Sequence, residues 1–161
     1  MNFQDIINLI WYVFQIAIGY NLILPFFLLL LYAIVKLNKE KELISTNEAD
    51  YAIIVTAYEQ TTLIPSVVAS LLKLNYSNYL IYIVADKCDI TNLKFDDNRV
   101  IVLRPEHTLS SNTRSHFYAI NRFKREHERL TIIDSDNLVD PNYLIELNKL
   151  FDQGFSAVQG V

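Results

Sequence analysis

Cysteine occurs once in these 161 residues, glycine three times, and positive charge is missing from the first 35 residues. Each shortage excludes something. Cys88 stands alone, so no internal disulfide can form, which agrees with a reducing compartment. The glycines, Gly19, Gly154 and Gly160, leave no Gly-x-Gly-x-x-Gly fingerprint and no P-loop. Phosphate charge would therefore have to be met by a metal or by Lys and Arg. From Ile6 to Val35 there is no Asp, Glu, Lys, Arg or His.

A helix over that charge-free stretch is roughly 45 Å long at about 1.5 Å per residue. A bilayer core is about 30 Å thick, so the stretch spans it with room for tilt. A signal peptide fits poorly, because the start carries only Asp5 and the far end runs into Lys36, Lys39 and Lys41. All 14 Lys and Arg lie at or after Lys36, which by the positive-inside bias places the chain from Lys36 onward in the cytoplasm. Trp11, Tyr12, Tyr20 and Tyr32 suit interfacial anchoring, and Pro25 is tolerated in such a helix. A single-pass attachment to the cell membrane is expected over residues 1–36, and a polar linker over 37–49.

The remainder, 50–161, carries interspersed charges with a small net negative balance. No clustered basic face is visible, so nucleic acid is excluded as a partner. Strand and helix signals alternate through it. Tyr51–Ala57, Tyr79–Ala85, Val100–Leu103 and Leu130–Ile133 read as strands, and Phe155–Val158 as a fifth. Helices are expected from Thr61 or Thr62 to Leu74, from Asn112 to His127, and from the Asp140-Pro141 start to Asp152. Such alternation predicts an α/β domain with a mostly parallel, doubly wound sheet, in which ligands bind beyond the carboxyl ends of the strands. Those ends read Thr56-Ala57-Tyr58-Glu59-Gln60, Asp86 and Asp134-Ser135-Asp136. Two carboxylates one residue apart can converge on Mg²⁺ or Mn²⁺ once the strand breaks, and such a metal is usually shared with substrate phosphates. The same spacing also serves turns, in which Asp caps backbone groups.

In "IIDSDNLVDPNYLIELNKLFDQGFSAVQG" an apolar strand, Asp-x-Asp, a proline-initiated helix and Val-Gln-Gly come in succession. Together with "VTAYEQ", "IVADKCD" and "VLRPE", this order resembles the first half of a family 2 glycosyltransferase. It is most similar to the membrane-anchored members of the cellulose or poly-N-acetylglucosamine synthase kind. The resemblance implies a partial Rossmann-like GT-A domain that binds a nucleotide-sugar donor, a UDP-sugar by preference. It also implies a polysaccharide, glycan or lipid acceptor. By the same resemblance Thr56, Ala57 and Tyr58 line the base and ribose, with Glu59 beside them at the family's Asn-Glu position. Asp86 would accept from a uracil ring, Asp134 would contact ribose or sugar, and Asp134 with Asp136 would hold Mg²⁺ or Mn²⁺ on the diphosphate.

The departures are specific. Thr56 stands where the family has Pro, Lys87 where it has Asn, and no Gly-Lys precedes the helix near Ala119. Arg114 is the nearest basic residue there and could meet the donor phosphate, or could be an ordinary surface residue. His116 could line the crevice or be solvated, His107 and His127 show no metal-ligand spacing, and Cys88 reads as a small buried packer. A haloacid-dehalogenase-type phosphatase also uses Asp-x-Asp, but normally after its first strand and with Thr or Val where Leu138 stands. The family's acidic general base is expected beyond Val161, so the domain is expected to be truncated and no catalytic residue is assigned within it. The competing reading is a non-catalytic, membrane-bound nucleotide-sugar binder or pseudoenzyme.

Overall fold

A computed structural model describes residues 2–37 and 48–159, with side chains left undescribed at 36 and 37. The chain divides into two compact units, Met1–Leu43 and Ile44–Val161. The expected linker over 37–49 lies, apart from its ends, outside the described residues, as do Lys39, Lys41 and Gly160.

The first unit holds one helix, α1, Phe3–Leu37. Its first turn is tied by Asp5, whose carboxylate accepts the Asn2 N–H at 2.8 Å. Asn21, the polar residue at its middle, donates back to the Ala17 carbonyl at 2.8 Å and so satisfies itself within the helix. Pro25 is accommodated without ending the helix. Phe3–Val35 is long and apolar enough to cross a membrane.

The second unit is an α/β domain. Its strands are β1 Tyr51–Tyr58, β2 Tyr79–Asp86, β3 Val100–Leu103 and β4 Arg129–Asp134, all parallel, in the order β3-β2-β1-β4. β1 and β2 are buried along nearly their whole length, which is why they read as continuous β-branched runs without alternation. Helices α2, Ile64–Leu71, and α4, Tyr143–Asp152, pack Ile64, Val67, Leu71, Leu144 and Leu147 on the face formed by Tyr51, Ile53, Val55, Ile81 and Ile83. Helix α3, Asn112–Ile120, places Ala119 on the opposite face, against Ala52, Ile54, Tyr82 and Val84. The strand order runs outward from β1 to β3 and then returns to the other side for β4. The direction of winding therefore switches between β1 and β4, the position at which open α/β sheets form ligand crevices.

Three boundaries differ from the sequence reading. Helix α3 stops at Ile120 rather than His127, because Phe123 and His127 turn back to pack on Tyr82, with ring centroids 4.6 and 5.7 Å away. Tertiary packing of two rings overrides the helical continuation. Helix α2 begins after Leu63, without a Thr cap. Phe155–Val158 forms no strand: it joins no ladder of the four-stranded sheet, Phe155 is exposed, and Val158 tucks against the core instead.

A buried polar cluster fixes α4 to the sheet. Tyr51 Oη donates to Asn148 Oδ1 at 2.7 Å, Asn148 Nδ2 donates to Tyr76 Oη at 2.9 Å, and Tyr76 Oη donates to the Ala49 carbonyl at 2.7 Å. Burial pushes the Tyr76 hydroxyl up to about 12, so it stays protonated across the physiological range.

Candidate functional site

The parallel register places Tyr58 beside Asp86 and Thr56 beside Asp134. Asp86 and Asp134 are the last residues of β2 and β4, the strands that flank β1. By the two-residue alternation of strands, Thr56, Tyr58, Asp86 and Asp134 fall on the α3 side of the sheet. An open crevice of about 730 Å³ lies at this edge, lined by Thr56, Ala57, Tyr58 and Asp86, by Ser110, Ser111, Asn112 and Ser115, and by Asp134, Ser135 and Asp136. Three strand ends and the first turns of α3 thus meet at one cavity.

The carboxylates at this cavity are not equivalent. Asp86 is 3% exposed, and its two oxygens accept the backbone N–H groups of Leu109 and Ser110 at 2.9 and 2.8 Å. Two charge-assisted hydrogen bonds to backbone satisfy a buried charge that would otherwise be costly. Asp134 and Asp136 are exposed, and neither side chain has a hydrogen bond or ion pair among the described residues. No group of three or more His, Cys, Asp and Glu side chains converges among the described residues. A divalent ion here would take oxygens from Asp134 and Asp136 and fill its other positions from a diphosphate and water. The hard, unpartnered donor set fits Mg²⁺ or Mn²⁺ in that arrangement.

Two residues expected at the site stand outside it. Glu59 turns away with a left-handed φ of 60° and pairs with Lys87 at 2.6 Å, itself left-handed at 56°. The Glu59 N–H donates to the Asp86 carbonyl at 3.1 Å, so the ends of β1 and β2 are joined by backbone as well as by charge. The Lys87 ammonium holds the Glu59 carboxyl below its usual range. Arg114 is exposed on α3, reaches back toward the Ser110 carbonyl at 3.5 Å, and does not line the cavity. His116 is half-buried and does not line it either. Tyr58 does line it, half exposed, with Lys87 Nζ 5.9 Å from its ring centroid. Cys88 is buried as expected, its thiol directed at the carbonyls of Asp86 and Ala57, and burial raises its pKa.

Sequence reasoning missed the serine wall. Ser111 caps α3, its hydroxyl accepting the Arg114 N–H at 3.5 Å, and Ser110 adopts a left-handed φ of 47° to enter that cap. The signal available was the Ser-Ser-Asn run ahead of a helix, a cap signature that in isolation says nothing of a cavity.

A family profile described as "Glycosyltransferase like family 2" matches residues 49–161, more than half of the chain. The chain belongs to that family. No curated protein matches it. Among solved structures, S. aureus TarS in complex with UDP-GlcNAc superposes with a TM-score of 0.57 at 20% identity, over 65% of this chain and 31% of TarS. The mannosyltransferase PcManGT from Pyrobaculum calidifontis, in complex with GDP-Man and Mn²⁺, superposes with a TM-score of 0.58 at 18% identity, over 75% of this chain and 39% of the relative. The chain thus spans less than half the length of these relatives, and the likeness is one of fold.

Proposed function

We propose that this chain carries the donor-binding part of a membrane-attached glycosyltransferase and holds a nucleoside diphosphate sugar in the crevice between β1, β2, β4 and α3. The observation that carries the reading is the meeting of Thr56, Ala57, Tyr58, Asp86, Asp134 and Asp136 at the switch point of the sheet. Thr56, Ala57 and Tyr58 form the wall for base and ribose. Asp86 keeps that wall in shape, and its remaining lone pairs are available to a base N–H. Asp134 and Asp136 hold Mg²⁺ or Mn²⁺, which when bound would neutralise charge on the diphosphate leaving group. The UDP-GlcNAc, UDP and GDP-Man bound to the superposing structures support a nucleotide-sugar ligand of this kind.

Sugar transfer also requires a base for the acceptor hydroxyl. None of the crevice carboxylates is assigned that role: Asp86 is occupied by two backbone N–H groups, and Asp134 and Asp136 are committed to the metal. The acceptor is a polysaccharide, glycan or lipid. Helix α1 crosses the membrane once, with the chain from Lys36 onward on the cytoplasmic side. A second reading, a non-catalytic nucleotide-sugar binder, follows from the crevice itself, where no carboxylate among the described residues is left to act as base. Calorimetric titration of the chain with UDP-sugars and GDP-sugars, with and without Mn²⁺, tests donor binding. A sugar-transfer assay on the same preparation separates the enzyme from the binder.

A further inference from the structure

The span in α1 is free of charge but not of carboxamides: Asn8, Gln15 and Asn21 all fall within it. Asn21 donates back to the Ala17 carbonyl at 2.8 Å. The Asn8 and Gln15 side chains are exposed and take part in no hydrogen bond among the described residues. These two stand about two helical turns apart and share one stripe, while Asn21 points about 120° away from Gln15. Gly19, one turn after Gln15, continues the stripe. A Cβ added at Gly19 would meet nothing within 4 Å, so the glycine leaves an open notch in the helix surface. The charge-free stretch centres near residue 20, which puts Gln15 about 8 Å from the bilayer midplane at about 1.5 Å per residue. A carboxamide without a partner is costly at that depth, because no water is there to bond it.

We propose that this stripe joins two copies of the chain, whose α1 helices pair in parallel, with Gln15 bonded to Gln15 and Asn8 to Asn8 beside a close approach at Gly19. A carboxamide has a partly positive N–H end and a partly negative carbonyl end, so it complements a second copy of itself. Copies inserted with the same orientation bring their amides to the same depth at both levels, about 10 Å apart along the axis. An antiparallel copy would match neither level. Gly19 lets the two backbones come near enough for the amides to meet, as small residues do between membrane helices. The inference rests on the reading of α1 as a spanning helix and is independent of what the crevice binds.

The test is energy transfer between two pools of the full chain, labelled at the N-terminus with a donor and an acceptor dye, in phosphatidylcholine vesicles over a series of lipid-to-protein ratios. The parent should show transfer that fades only on dilution in lipid. Gln15→Leu removes the deep amide and should weaken pairing about tenfold, as for a lost hydrogen bond between membrane helices. Gly19→Leu fills a notch that is open within the chain and should weaken pairing at least as much. Asn21→Leu changes an amide off the stripe and should pair like the parent. All three substitutions make the span more apolar, so each variant should stay in the membrane pellet after a carbonate wash. A parent that stays inserted without transfer overturns the pairing, as does parental transfer in both Gln15→Leu and Gly19→Leu. An equal loss in Asn21→Leu overturns the stripe as its site. Release of the parent by carbonate overturns the spanning reading itself.

Discussion

The Asp86 carboxylate accepts the Ser110 N–H at 2.8 Å across 24 residues of sequence. Its other oxygen takes Leu109. A residue at the end of a central strand therefore fixes the segment that forms the opposite wall of the crevice. Asp86 acts first on the shape of the site, whatever it also contributes to a ligand.

Asp86→Ala is accordingly expected to lower stability by about 2–4 kcal/mol, since it removes two charge-assisted bonds and leaves two part-buried N–H groups unpaired. Nucleotide affinity should fall with it, because Ser110, Ser111 and Asn112 lose their anchor. Thermal melting and titration with UDP and GDP measure both effects. A variant that melts like the parent would show that the loop is held by other contacts.

Much of this domain was legible because it is buried. β1 and β2 are apolar nearly throughout, and β3 and β4 are short β-branched runs, so each announced itself. Position at the strand ends then brought out Thr56, Tyr58, Asp86, Asp134 and Asp136. What stayed hidden depends on distant partners. The early end of α3 comes from Phe123 and His127 packing on Tyr82, a residue of a strand much earlier in the chain. The removal of Glu59 from the crevice comes from Lys87, which only the β1–β2 register brings beside it. Ser115 is a small polar residue on a polar helix, and nothing local marks it as facing a cavity.

Acid should weaken a contact far from the crevice. Asp97 accepts from the Arg99 side chain at 2.7 and 3.0 Å and from its backbone N–H at 2.9 Å, while Arg99 also donates to Tyr79 Oη at 2.8 Å. The Arg99 bonds hold the Asp97 carboxyl down to about 2. A depressed carboxyl stabilises the fold above its unfolded pKa of about 3.9, and that contribution fades as pH falls through the folded value. Asp97→Asn should therefore melt below the parent near neutral pH, with the gap closing as pH falls from about 3.9 toward about 2. Melting curves across this range check it, and a gap that widens in acid contradicts the assignment.

A spanning α1 predicts an asymmetry. In right-side-out vesicles, protease added outside should leave the chain beyond Lys36 intact, and in inverted vesicles it should digest it. The physical basis is a charge-free span with every Lys and Arg on one side of it. Digestion from the outer side would reverse the orientation, and release of the chain by a carbonate wash would rule out a spanning helix.

Asp136 contrasts with Asp86. It is exposed, lies two residues past the end of β4, and has no hydrogen bond or ion pair among the described residues, whereas Asp86 at the end of β2 accepts from two N–H groups. A carboxylate kept for turn structure would cap backbone groups, as Asp140 does when it accepts the Asn142 N–H at 2.8 Å. Asp136 caps nothing, and Asp134 stands two residues away with the same charge. Without a cation the pair repels, so Asp136→Ala should keep the parent melting temperature or raise it slightly. With Mn²⁺ and UDP or GDP present, the same variant should lose most of the metal-dependent part of binding, because Asp134 alone offers the ion one hard protein ligand in place of two. Calorimetric titration with and without Mn²⁺, beside thermal melting, reads both outcomes. Asp86→Ala should show the opposite pattern, with a large loss of melting temperature and retention of whatever metal dependence survives. If Asp136→Ala binds nucleotide like the parent and melts several degrees lower, Asp136 is a turn residue and the metal must be sought elsewhere.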